Sequence, residues 1–145
     1  MTDSDSSAPN TRRGVRIALG ILQVFIGLGG VAGGVGMVSD PSGGNVGMST
    51  AALADSPFSD YLVPGMVLLT VNGFGSLLGA MMTFPGRRRY GRIAVALGLF
   101  LMAWIVAQVS WIGLVHWLQP LYFVLGGVEL GLGLHLSAKA TRAGT

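Results

Sequence analysis

Residues 93–128 read IAVALGLFLMAWIVAQVSWIGLVHWLQPLYFVLGGV, with no Asp, Glu, Lys or Arg among them. A hydrocarbon core about 30 Å thick is crossed by roughly 20 residues of helix. The run is too long for one crossing, and Trp117-Leu118-Gln119-Pro120 breaks it in two. Two further uncharged runs lie upstream, from Ile17 to Ser39 and from Tyr61 to Gly86. Each fits one crossing. The pattern predicts an all-α fold, a four-helix transmembrane bundle with spans at 15–38, 61–84, 93–117 and 120–138. None of the runs alternates as the strands of a membrane barrel do, and a helix satisfies its own backbone hydrogen bonds in lipid.

Composition agrees. Of 145 residues, 51% are hydrophobic and only 10% charged, where a soluble domain carries about 25% charged residues. The absence of cysteine excludes disulfides, thiolate metal sites and a cysteine nucleophile. The net charge of +3 says less than where the charges sit. Arg12, Arg13 and Arg16 precede the first span. Arg87, Arg88, Arg89 and Arg92 occupy the second loop, 85–92, and Lys139 and Arg142 follow the fourth span. The first loop, 39–60, has no Lys or Arg and carries Asp40, Asp55 and Asp60. The positive-inside rule then puts both termini and the arginine loop in the cytoplasm of an inner-membrane protein, with loop 39–60 external.

Residues 1–14 are expected to be disordered and 139–145 to form a short tail. The stretch 49–54 is expected to form a turn or two of surface helix. Ala52-Leu53-Ala54 resembles a cleavage site but lies far beyond an overlong apolar core, which argues against a signal peptide. A nucleic-acid patch is a poor reading of the arginines, because only Tyr90 interleaves them. Arg87, Arg88, Arg89 and Arg92 read instead as lipid-headgroup contacts, at about 1 kcal/mol per basic residue.

The two halves look alike. Leu62, Pro64, Gly75 and Leu78 align with Leu118, Pro120, Gly131 and Leu134, as in a repeat of two helical hairpins. The competing explanation is that apolar, glycine-rich helices resemble one another by composition. Gly29, Gly30, Gly33, Gly34 and Gly36 in the first span, Gly75 and Gly79 in the second, and Gly127 and Gly131 in the fourth predict close helix contacts. Trp111, Trp117 and Tyr122 read as an interfacial aromatic belt.

Few polar residues sit at membrane depth. Glu129 falls near the middle of the fourth span and Asn72 near the middle of the second. An ionisable group there is a functional candidate by default. A charge is costly in that medium, so Glu129 is expected to keep its proton unless water or a cation reaches it. Three roles stay open: a structural hydrogen bond to Asn72, Gln108 or a backbone carbonyl; binding of a proton, cation or polar ligand; or a contact with a partner subunit. Trp104, Gln108 and Trp111 share one helix face. That face either lines a cavity for a hydrophobic molecule with one polar end or is bundle core, with core the favoured reading. Gln23 is read as core on the same grounds. His116 and His135 lie at opposite faces of the membrane, and Glu129 and His135 do not share a helix face, so no metal site and no cofactor is expected. Asp60 and His116 are the one pair that a catalytic reading has at a common level. No hydrolase elbow, P-loop, HExxH or dinucleotide fingerprint occurs.

The segments Asp40-Pro41-Ser42-Gly43, Ser56-Pro57-Phe58-Ser59-Asp60-Tyr61, Val63-Pro64-Gly65 and Trp117-Leu118-Gln119-Pro120 resemble those of small four-span membrane proteins of bacteria, particularly actinobacteria. That resemblance implies topology and no settled activity. A fainter resemblance, through Val128-Glu129-Leu130-Gly131-Leu132-Gly133, is to DoxX-type four-helix proteins, where a similar string belongs to an earlier span. The sequence therefore leads to a binding or accessory module that associates with itself, with lipid or with a larger membrane complex. The alternatives are a small oligomeric transporter or channel using Glu129 and Asn72, and a membrane enzyme acting on a lipophilic substrate.

Overall fold

The computed structural model describes residues 7–142, and among them there is no strand. Four helices form the bundle: α1 (Ser7–Ser39), α2 (Leu62–Thr83), α3 (Tyr90–Ile112) and α4 (Leu118–Arg142). All four are long and apolar enough to cross a membrane.

Several boundaries differ from the sequence reading. Helix α1 starts at Ser7, so residues 7–14 are helical; residues 1–6 lie outside the described residues. A helix already nucleated by its apolar part gains one hydrogen bond for each residue added, and Pro9 falls in the first turn, where its missing N–H costs nothing. The expected tail is likewise helical to Arg142, and residues 143–145 lie outside the described residues. Helix α3 stops at Ile112 rather than 117. Gly113 takes a left-handed φ of 74° and its N–H closes on the Val109 carbonyl at 3.0 Å. The middle of α2, Leu68–Gly75, is wound as π-helix, a rare form met mostly as short insertions at functional sites.

The chain folds as two hairpins, α1 on α2 and α3 on α4, with thinner contact between them. Glycine sets both internal contacts. A Cβ on Gly30 would stand 2.6 Å from the Gly73 amide nitrogen, and one on Gly98 would stand 2.7 Å from the Gly126 carbonyl oxygen. Backbones this close gain dispersion contacts that lipid cannot supply. On α4 the packed glycines are Gly126 and Gly133, not the expected Gly127 and Gly131; nothing approaches Gly131. Spacing alone does not reveal which way a glycine pair is rotated. The aligned positions of the two halves also behave differently, since Gly75 lies against Leu97 while Gly131 is open.

The interior is layered along the bundle axis. At the arginine end, Leu19, Ala94 and Leu136 form one apolar cluster. Next comes a polar layer containing Gln23, Thr83 and Glu129, all fully buried. Ile26, Leu101 and Ile105 form a second apolar cluster. Beyond it the helices part towards loop 39–60.

That loop is folded. Single 3-10 turns occupy Gly44–Val46 and Thr50–Leu53. The expected surface turn at 49–54 is thus present, but Leu53 points inward and is buried. The Tyr61 N–H donates to the Pro41 carbonyl at 2.9 Å, closing the loop base, and the Tyr61 hydroxyl donates to the Ser49 carbonyl at 2.9 Å. Asp40 accepts from the Ser42 hydroxyl at 2.5 Å and from the Asn45 amide at 3.1 Å. The Ser42 bond is the main reason its carboxyl is held below the ordinary carboxylate range, against a smaller desolvation penalty.

Candidate functional site

Where the helices part, they enclose a cavity of about 240 Å³. Its wall on α1 is the three glycines Gly29, Gly30 and Gly33 together with Met37, and the glycines let Tyr122, Gly73 and Leu68 approach closely. None of the three glycines has room to spare. A Cβ on Gly29 would overlap the Tyr122 hydroxyl, and one on Gly33 would come within 3.1 Å of Leu68. Helix α3 contributes Trp104, Gln108 and Trp111, and α4 contributes Tyr122. Phe58 and Tyr61 from the loop region cover the mouth, and Phe58 sets its ring edge-on to Trp111 at a centroid distance of 5.5 Å.

Sequence reasoning favoured core for the Trp104, Gln108 and Trp111 face, and the structure corrects this: all three line the cavity. The helix period put them on one face, but whether that face meets a neighbour depended on the glycine wall opposite. Of the aromatic residues read as an interfacial belt, Trp111 and Tyr122 line this cavity and Trp117 is 68% exposed. The chemistry of the lining is uneven. Most of it is apolar and aromatic, and the Trp104 indole N–H is buried without a hydrogen-bond partner. An indole N–H ordinarily finds a partner when buried, and leaving one unmade costs about 1–3 kcal/mol. That nitrogen is closed off from the open space, so an acceptor on a bound molecule would reach it only after a neighbouring side chain moves. Gln108 offers both an amide donor and a carbonyl acceptor beside it.

Glu129 does not line this cavity. It accepts a hydrogen bond from the Gln23 amide at 3.1 Å, and the Gln23 carbonyl accepts from the Thr83 hydroxyl at 2.7 Å. The chain Thr83–Gln23–Glu129 clasps α2, α1 and α4 together. Its second carboxyl oxygen has no partner among the described residues. The expected partners of Glu129 were Asn72, Gln108 or a backbone carbonyl; the one found is Gln23, which sequence reasoning had treated only as isolated core. Asn72 is buried in the π-wound segment with its amide nitrogen unpartnered, so it is not bonded to Glu129. Rotation of α2 about its axis, changed by the π turn, is invisible to a count of residues from the membrane surface.

The remaining candidates are spent on structure or stand apart. Asp60 accepts from the Leu62 N–H at 2.9 Å and His116 from the Leu118 N–H at 3.2 Å, so each caps a helix start. Gln119 accepts from the Val115 and His116 amides at 2.9 and 3.1 Å, fixing the turn between α3 and α4. No group of metal-ligating side chains occurs among the described residues. Of the four arginines in the second loop, Arg88, Arg89 and Arg92 line a groove at the arginine end and Arg87 does not.

No family model, no curated protein and no solved structure matches this chain.

Proposed function

We propose that this protein is a membrane-embedded binding module whose cavity receives a lipophilic molecule carrying a hydrogen-bond acceptor. The observation that carries the reading is the largely apolar, aromatic-lined cavity between four helices, with Gln108 in its wall and the unpartnered Trp104 N–H just behind it. A concave apolar site with few convergent polar groups is the usual form of a small-molecule site. The donor prefers a carbonyl or ether oxygen, and Gln108 sets the second polar contact. The positive-inside rule places the arginine end in the cytoplasm and the cavity in the outer leaflet of an inner membrane, so the ligand enters from that leaflet past Phe58 and Tyr61. Transport through one copy is the weaker reading, because Ile26, Leu101 and Ile105 separate the cavity from Glu129. As an accessory module the protein would hold its ligand for a larger membrane complex or a second copy of itself.

Solvent extraction of protein purified in mild detergent, followed by mass spectrometry, tests the proposal. The wild type should yield one enriched lipophile, and Trp104→Phe should lower its recovery about tenfold, consistent with loss of one buried hydrogen bond. Equal recovery from both would sink the reading. Single cysteines introduced at Asp55 and Arg88 of this cysteine-free chain test the sidedness; labelling from the same side contradicts it.

A further inference from the structure

The arginine end carries a second concavity that the ligand reading above does not use. A groove of about 380 Å³ runs between the first turn of α3 and the last turns of α4. Arg88, Arg89 and Arg92 line it, with Tyr90, Leu136 and Ser137. The geometry sorts four basic residues that are equivalent in sequence. Arg87 is not part of the groove lining, and its carbonyl accepts from the Tyr90 N–H at 3.2 Å to close the turn. The floor is the helix crossing itself, where a Cβ on Gly91 would stand 2.5 Å from the Ser137 hydroxyl oxygen and Leu136 is only 1% exposed.

Among the described residues no Asp or Glu stands at this end: Asp40, Asp55 and Asp60 belong to the opposite loop and Glu129 to the middle of α4. Three guanidiniums thus share one groove, with no acidic residue beside them among the described residues. Guanidinium forks match phosphate oxygens in pairs. A phosphodiester with a single charge would leave much of that positive charge unanswered, whereas two negative charges answer it better. The half-buried Tyr90 ring in the groove lies where the span ends and suits the glycerol and first acyl carbons of a lipid.

We infer that this groove binds one phospholipid whose headgroup carries two negative charges, a phosphomonoester or a pair of phosphates. Native mass spectrometry of the full chain in detergent tests it, with phosphatidic acid, phosphatidylglycerol and phosphatidylcholine added in turn, each with and without inorganic phosphate. The expected result is one phosphatidic acid retained per chain in preference to the other two lipids and unaffected by phosphate. Arg88→Gln and Arg92→Gln should each weaken retention about fivefold, the ratio equivalent to the ~1 kcal/mol a basic residue supplies at a membrane surface. Arg87→Gln should weaken it less than about twofold. Equal losses from all three variants would reveal a diffuse basic surface and overturn the site. So would equal retention of phosphatidic acid and phosphatidylglycerol. Displacement by inorganic phosphate would show a free-anion site instead of a lipid site. Should a variant fail to give a wild-type melting profile, the wild-type lipid preference and the phosphate arm still decide the matter.

Discussion

The two ends of the bundle solve the same packing problem in opposite ways. Towards the arginines, Thr83, Gln23 and Glu129 bond in a chain across three helices, with one Glu129 carboxyl oxygen left over, enclosed by apolar clusters on either side. Towards loop 39–60, a polar donor is left unmatched beside an open space, and a folded loop covers it. The first arrangement holds helices together. The second forms a cavity lined by aromatic rings and Gln108. Polar residues at membrane depth therefore cannot be ranked by charge alone, since the formally ionisable one, Glu129, is tied into structure while the neutral Trp104 faces the cavity.

The contrast can be broken most severely at the glycine contacts of the hairpins. Gly98→Val puts side-chain atoms against the Gly126 backbone; overpacking of this kind costs about 1–3 kcal/mol or more and should abolish a monodisperse bundle in size-exclusion chromatography. Next in size is the polar clasp. Gln23→Leu strands Glu129 without its donor and should destabilise by about 2 kcal/mol, read as a lowered melting temperature in detergent. Glu129→Gln, which keeps the shape and a hydrogen bond, should cost less. In a double-mutant cycle, Gln23→Leu with Glu129→Leu should cost clearly less than the sum of the two, and strict additivity would show that the clasp is not coupled.

At the loop end smaller effects are expected. Phe58→Ala removes an edge-on aromatic contact worth about 0.5–1.5 kcal/mol; the fluorescence of Trp111 should shift while the melting temperature moves little. A large drop in melting temperature would mean that the loop is part of the core rather than a cover. The smallest effect concerns pH. Asp40 has its carboxyl depressed mainly by the Ser42 hydroxyl, so its contribution is present above the ordinary carboxylate range and is lost as pH falls through the depressed value. Limited proteolysis of residues 39–60 should accelerate only in strong acid, and Asp40→Asn should remove that dependence. Unchanged cleavage in wild type and variant would refute it.

Much of this was legible before any fold was known. The charge-free runs marked four spans, the arginines and aspartates marked two ends, and Glu129, Asn72, Gln108 and Trp104 stood out as polar groups at depth. What the residues did with that depth was not legible. The partner of Glu129 is far away in the chain, and helix rotation selects Gln23 over Asn72. The Gly127 and Gly131 spacing pointed to a contact that α4 makes one face away, through Gly126 and Gly133. Nothing in Phe58 or Leu53 announced that the loop would turn inward.

Partition into a bilayer is a property of each segment by itself, because every residue contributes its transfer cost regardless of neighbours. Span number and loop composition therefore follow from the amino-acid order alone. Cavities and hydrogen-bond partners depend on how those segments are rotated, tilted and wound against one another. Such angles come from close contacts summed over the whole bundle, and only the tertiary structure decides which polar group is answered and which faces an empty space.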